Sequence, residues 1–435
     1  MEAGRTPERI GKYEIRERLG EGMTSVVYLA HDSFASRDVA IKRLISEALH
    51  DPVRGQIYRR LMVTEASLAG RMQHPHIVQI YDAVLGEDES YIVMEYVTCG
   101  TLEAFCEPDN LLPYDRLVEI IFKCTRALDY AFHQGITHRD IKPANILLAN
   151  RDNLDGDIKI SDFGAALLSS ESDQTQVSGV GSPAYMSPQQ VRELPLDHRT
   201  DIYSLGVVMY QMLCGRLPFH ASNNYSMIYQ ITTLEALPPS TYRPDVPPAL
   251  EAIVARAMAK DLDDRYPDWE AFSQDLMKAF RSEQQSGRRQ ALADSEKFET
   301  LRALPFFGEF SDVQLWEVVR FSDWKEVGPG AIVMHDGDPG DNFCFLASGE
   351  VKVCKNGRKL VTLNPGECFG EMAVIHANPA RRAADVIALT DARIISIRGD
   401  ALKRASEGCQ MRFYRAFLEV LADRLTAANL QLASV

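Results

Sequence analysis

Four side chains in two short runs carry what is needed to move a phosphoryl group. His138-Arg139-Asp140-Ile141-Lys142-Pro143-Ala144-Asn145 sets a carboxylate, an ammonium and an amide close together, and Asp162-Phe163-Gly164 adds a second carboxylate seventeen residues beyond Asn145. Phosphoryl transfer to a hydroxyl asks little covalent chemistry of a protein. It needs a carboxylate to receive the hydroxyl proton, a cation beside the migrating group, and oxygens that hold magnesium against phosphates. Asp140, Lys142, Asn145 and Asp162 supply these parts in that order. Either run alone is an acidic turn; the pair at this spacing is a catalytic signature.

Elements on both sides must position these groups. Leu19-Gly20-Glu21-Gly22-Met23-Thr24-Ser25-Val26-Val27-Tyr28 reads as strand, glycine turn, strand, with small residues that let backbone close over phosphates. Val39-Ala40-Ile41-Lys42 alternates as a strand, and a segment containing Glu65 follows, just before His74-Pro75-His76-Ile77-Val78. Tyr91-Ile92-Val93-Met94-Glu95-Tyr96-Val97 reads as a strand running into a hinge. Together these runs resemble the eukaryotic-type (Hanks-type) Ser/Thr protein kinase family. The resemblance implies ATP and Mg2+ as cofactors, bound between a five-stranded small lobe and a helical large lobe. It implies Asp140 as the base, Lys142 on the γ-phosphate, Lys42 on the α- and β-phosphates with Glu65 as its partner, and Asn145 and Asp162 as metal ligands. Leu19, Gly20, Gly22, Val27, Ala40, Met94, Glu95 and Val97 are implied to line the ATP site, with Val27 on the adenine and Met94 as gatekeeper. The family's third loop glycine is Ser25 here, and Lys142, two residues after Asp140, is the Ser/Thr pattern.

In the same family, an arginine beside the catalytic Asp, here Arg139, is often met by a phosphate on the activation segment. The segment from Asp162 to Gln189 offers, among its hydroxyls, Ser169, Ser170, Ser172, Thr175, Ser178 and Ser182. Ser182, in Gly181-Ser182-Pro183-Ala184-Tyr185, resembles the hydroxyl that contacts the catalytic Asp and Lys, which leaves Thr175 and Ser178 as phosphosites. Ser187-Pro188-Gln189 stands where the family has Ala-Pro-Glu, so the carboxylate that would pair with Arg265 is a neutral amide. Asp201 opens a run that is apolar nearly all round, as a buried helix is, and resembles the residue that ties this helix to the catalytic loop.

After a polar stretch from Arg281 the texture changes to short alternating segments broken by glycine, such as Phe343-Cys344-Phe345-Leu346-Ala347-Ser348-Gly349-Glu350-Val351-Lys352-Val353. This argues an antiparallel barrel or jelly roll. Cys368-Phe369-Gly370-Glu371-Met372-Ala373-Val374-Ile375 followed by Arg382-Ala383-Ala384 resembles the phosphate cassette of cyclic nucleotide-binding domains. Such a ligand presents one phosphate anion and one free ribose 2′-hydroxyl. Gly370 allows close backbone approach, Glu371 can accept from the hydroxyl, a short helix through Met372 and Ala373 would aim N–H groups at the phosphate, and Arg382 can fork onto it. Ala383 lacks the hydroxyl that favours guanine in the family, which leans toward cAMP. Arg381 is the alternative phosphate ligand, and Asp385 adds a negative charge nearby. The competing reading is a barrel without ligand that serves docking or dimerisation. The final segment carries a helical stripe of Phe413, Phe417, Val420 or Leu421, and Leu425, which in the family lids the nucleotide or pairs in a homodimer; packing on its own barrel is the other option.

The expected fold is therefore multidomain α+β: a bilobal protein-kinase fold over residues 13–280 (small lobe about 13–97, large lobe about 98–280), a linker at 281–297, and a β jelly-roll cyclic nucleotide-binding-like domain with flanking helices at 298–430. For 435 residues, 46% hydrophobic and 25% charged content is ordinary for a globular chain. A net charge of −14 argues against nucleic acid. The polar start lacks a signal peptide, no apolar run reaches the ~20 residues that span a bilayer, and eight cysteines without metal spacing read as reduced thiols in a cytoplasmic protein. The partners expected are protein substrates and cAMP or a related cyclic nucleotide. A non-catalytic pseudokinase scaffold is the rival from another class; intact Lys42, Asp140, Asn145 and Asp162 argue against it.

Overall fold

A computed structural model describes residues 7–22, 24–45, 55–68, 70–86, 89–149, 157–163, 167–168, 183–284, 293–371 and 381–433. The chain divides into two compact units, Met1–Arg288 and Arg289–Val435.

The first unit opens with an antiparallel sheet whose neighbours run Arg9–Ile10, Tyr13–Glu21, Ser25–Asp32, Arg37–Leu44, Ser90–Glu95, Ile80–Leu85. The sequence suggested five strands; the sixth is the two-residue Arg9–Ile10, too short to show a period. One face buries Tyr13, Val26, Tyr28, Val39, Ile41, Tyr91 and Val93, and the other buries Ala40, Leu44, Ile92 and Met94, as strict alternation requires. The helix Gly55–Ser67 turns Gly55, Tyr58, Met62 and Glu65 inward. That 3-4-3 spacing puts a carboxylate on the same face as the apolar residues.

Below the sheet, the helix Tyr114–His133 is buried along most of its length. The helix Arg199–Cys214 is buried nearly all round and stops at Gly215, whose φ of +71° is the left-handed cap of a helix end. The helix Trp269–Gln284 runs to the edge of the described segment, and Asp294–Ala303 opens the second unit.

That second unit holds two four-stranded antiparallel sheets. One orders Ser322–Val327, Ala392–Arg398, Asn342–Ser348, Cys368–Phe369; the other orders Ile332–Met334, Asp385–Ala388, Val351–Lys355, Arg358–Leu363. Their inner faces share a core of Met334, Cys344, Leu346, Val351, Leu363, Phe369, Val386 and Ile394. The last helix, Glu407–Ala433, docks through Phe413 and Phe417. Phe417 lies 5.3 Å from Phe306 and 5.0 Å from Phe343, centroid to centroid. The expected stripe is thus split. Phe413 and Phe417 pack on their own barrel, while Leu425 is exposed and belongs to a second row with Met411, Tyr414 and Leu418.

Candidate functional site

Local pairing builds the catalytic loop. The strands Ile146–Leu148 and Ile158–Ile160 pair with Ile146 opposite Ile160, so Asn145 and Ser161 extend side by side, and Ser161 N–H donates to the Asn145 carbonyl at 2.9 Å. Asp162 follows at once. Residues seventeen apart in sequence therefore meet because a hairpin lies between them.

Asp201 sets the shape of the loop. Its buried carboxylate accepts from the backbone N–H of His138 and of Arg139, both at 2.7 Å. Arg139 has φ +70° and Asp162 φ +62°, left-handed values that cost a non-glycine residue roughly 1–2 kcal/mol each and are held by the surrounding bonds. His138 Nδ1 accepts from Asp140 N–H at 3.2 Å, so its Nε2–H donates to the Ser161 carbonyl at 2.9 Å. The aspartate whose role was to tie helix to loop thus places both functional runs.

Around that frame the polar groups converge. Lys142 Nζ donates to Asp140 Oδ2 at 2.8 Å. Asn145 Nδ2 donates to the Asp140 carbonyl and to Asp140 Oδ2, at 2.8 and 3.1 Å, which leaves its amide oxygen for a cation. Lys42 Nζ contacts Glu65 Oε2 at 2.9 Å and also Asp162 Oδ1. Burial alone would drive the Lys42 ammonium toward neutrality; Asp162 and Glu65 outweigh it and hold its pKa above the ordinary value. Burial raises Glu65, whereas Lys42 overcomes burial at Asp162 and lowers it. An amide oxygen and an ionised carboxylate are hard donors suited to Mg2+. Among the described residues no group of three or more His, Cys, Asp or Glu side chains is placed to hold a metal.

An apolar wall stands beside these groups. Ala40, Leu44, Ile92 and Met94 are buried, with Val27, Val97 and Leu147 packed against them. Sheet register sets Val27 opposite Lys42 and Ala40 opposite Met94. Leu147 was not foreseen; it alternates from Asn145 along a three-residue strand too short to read. Leu19 is exposed. A side chain added at Gly20 would touch nothing, so the fold itself does not require that glycine. Glu95 closes its strand and pairs with Lys159 at 2.9 Å.

The activation segment keeps its foot without the expected carboxylate. Arg265 Nη2 donates to Gln189 Oε1 at 3.1 Å, and Gln189 Nε2 donates to the Lys260 carbonyl at 3.2 Å. Burial lowers the Arg265 pKa to about 10, as expected for a cation whose close acceptors are neutral. Gln190 adds a bond that the sequence hid: its Nε2 donates to the Arg139 carbonyl at 2.8 Å. Arg139 Nε is buried without a hydrogen-bond partner among the described residues. Thr175, Ser178 and Ser182 lie outside the described residues.

In the barrel, Gly370 has φ +79°, and a Cβ there would sit 2.7 Å from Arg382 Nη1, so a close approach and a left-handed turn both demand glycine. Arg382 is 9% exposed. Its Nη1 donates to the Gly370 carbonyl at 3.1 Å, and its Nη2 to the Asn342 carbonyl at 2.8 Å and to the Asn342 side chain. Two of its five N–H groups have no partner among the described residues. Arg381 turns to the Gly337 carbonyl at 2.8 Å on the exposed side. Asp385 accepts from Asp336 N–H at 2.9 Å. Ala383 is exposed, and Met372 and Ala373 lie outside the described residues. Glu371 is 4% exposed, and its Oε1 accepts from Arg424 Nη1 at 2.7 Å. That arginine, fifty-three residues away on the last helix, carried no local signal.

Comparison with known proteins finds two families along the chain. Residues 13–278 match the protein kinase domain family, and residues 324–408 match the cyclic nucleotide-binding domain family. The serine/threonine-protein kinase PknB of Mycolicibacterium smegmatis is 37% identical over 310 residues, 69% of this chain and 48% of that protein. Probable serine/threonine-protein kinases of Clostridium acetobutylicum and Streptomyces coelicolor are 38% and 37% identical over 256 and 270 residues. These matches cover 59% and 60% of this chain and 38% and 39% of those proteins. The chain thus spans half or less of the length of the curated relatives it matches.

Proposed function

The chain belongs to the protein kinase family, and from that premise we propose that it transfers the γ-phosphoryl group of ATP to Ser or Thr hydroxyls of protein substrates, under control of a cyclic nucleotide bound by its second unit. The observation that carries the reading is the convergence of Lys42, Glu65 and Asp162 beside Asp140, Lys142 and Asn145. In this reading Asp140 takes the proton of the attacking hydroxyl and Lys142 offsets charge on the migrating group. Lys42, oriented by Glu65, holds the inner phosphates, and Val27, Ala40, Met94 and Val97 wall the adenine. Magnesium, when held by Asn145 and Asp162, neutralises phosphate charge. Incubating the purified chain with labelled ATP and Mg2+ tests this. Label should appear on Ser or Thr, and mass spectrometry should find it on Thr175 or Ser178, because Arg139 Nε has no hydrogen-bond partner among the described residues and a phosphate would meet the guanidinium. A folded chain that incorporates no phosphate would refute the assignment.

The nucleotide is assigned as cAMP on the evidence of Ala383, with Glu371 on the ribose and Arg382 on the phosphate. No described helix is long and apolar enough to cross a membrane, and all eight cysteines are free thiols. We read the free thiols as those of a cytoplasmic enzyme, which cell fractionation would check. We also assign a homodimer to the last helix. Met411, Tyr414 and Leu418 are 66%, 43% and 68% exposed, and Leu425 is 63% exposed. With Leu421 between them the spacing is 3-4-3-4, the seam of a coiled coil. Light scattering should give twice the chain mass, and Leu418→Glu should halve it; a wild-type chain that stays monomeric at tens of micromolar removes the dimer.

A further inference from the structure

Arg424, on the last helix, reaches the turn that carries Glu371. Arg424 Nη1 meets Glu371 Oε1 at 2.7 Å, and Arg424 Nη2 donates to the carbonyl of Cys368, three residues before Glu371. Arg424 therefore clamps both ends of the Cys368–Glu371 turn. The Glu371 side chain is 5% exposed and that of Arg424 is 40% exposed, so the carboxylate is the buried member and the arginine enters from the rim.

We propose that Arg424 is a positioning residue for ribose recognition: by taking Oε1 it fixes the Glu371 carboxylate and leaves Oε2 to accept from the 2′-hydroxyl of the nucleotide. Two physical needs meet here. A buried carboxylate without a counter-charge is expensive and tends to take up a proton or turn away. The neighbouring carbonyl, that of Gly370, accepts from Arg382, so the turn that Arg424 clamps also carries the cation offered to the ligand's phosphate. The inference rests on the cyclic-nucleotide reading above and adds to it the residue that holds the Glu371 carboxylate in place.

The test is titration of the full chain with cAMP and with 2′-deoxy-cAMP by calorimetry. Wild type should prefer cAMP by about tenfold or more, the range of one charge-assisted hydrogen bond. Arg424→Ala should reduce that preference to about onefold. Glu371→Gln should also reduce it, and the double variant should lose no more than the single ones, since all act through one carboxylate. Arg424→Lys should recover part of the preference. Circular dichroism checks that each variant is folded. An Arg424→Ala chain that keeps the wild-type preference, or binds cAMP more tightly than wild type, overturns the proposal; the second result would make Arg424 a plug. Wild type that binds neither nucleotide overturns the parent reading, and that outcome is distinguished by its appearing before any variant is made.

Discussion

Asp140→Asn should lower the rate of phosphoryl transfer about 10²–10⁴-fold, the usual contribution of a positioned general base, while the chain stays folded and still binds ATP. The structure explains why the fold should survive. Asn at 140 can still accept from Lys142 and Asn145, whose bonds to Asp140 are 2.8 and 3.1 Å, and the loop's shape is set by Asp201. What disappears is the basicity. Asp162→Asn should lose at least as much, for a different reason. The substitution removes an anionic oxygen suited to Mg2+ and leaves Lys42 with Glu65 as its remaining close counter-charge. ATP binding measured without magnesium should change little, and the strengthening of binding on adding magnesium should vanish. Radiolabel incorporation at wild-type rate in either folded variant would sink the corresponding role. If both variants kept ATP binding and wild type itself transferred nothing, the pseudokinase reading would stand instead.

What the sequence revealed about this site follows the reach of local constraints. Asp140, Lys142 and Asn145 lie in one loop, and Asp162 joins them through a single hairpin, so spacing along the chain already implies spacing in space. Lys42 and Glu65 were legible because they stand where the family resemblance puts them, and the structure turns Glu65 to the buried face of its helix. The residues that escaped are those contributed by distant segments. Gln190 reaches the Arg139 carbonyl across fifty-one positions, Asn342 reaches Arg382 across forty, and Arg424 reaches Glu371 across fifty-three. A glutamine in Ser-Pro-Gln-Gln or an arginine on an amphipathic helix has many solvated alternatives, and no pattern selects the buried one. The Arg265 partner shows a subtler limit. A neutral amide stands at Gln189 where the family has a carboxylate, yet it supplies an acceptor toward Arg265 and a donor toward Lys260.

Arg382→Ala should weaken cAMP binding about a hundredfold or more, because the ligand's phosphate loses a forked cation and each charge-assisted bond is worth roughly 1.5–3 kcal/mol. The same substitution also breaks the bonds to Gly370 and Asn342, so the domain itself should melt a few degrees lower. Arg382→Lys separates the two effects. A lysine keeps one charge but not the fork; it should restore part of the binding, whereas the bonds that tie Gly370 to Asn342 stay broken. Saturating cAMP should raise the melting temperature of wild type, by the free energy RT ln(1 + [L]/Kd), and that rise should be absent from Arg382→Ala at the same concentration. Coupling to the kinase is bounded by the same thermodynamics. A ligand can shift the catalytic unit only by its differential affinity for the two states, commonly about 5–150-fold. cAMP should therefore change the phosphorylation rate severalfold in wild type and leave Arg382→Ala unmoved, release from inhibition being the expected direction. A nucleotide effect on activity that persists in Arg382→Ala would place the effector elsewhere. Calorimetry that detects neither cAMP nor cGMP at millimolar concentration would turn the barrel into a docking or dimerisation module. In that case the exposed row of Met411, Tyr414, Leu418 and Leu425 would be the surface through which it acts.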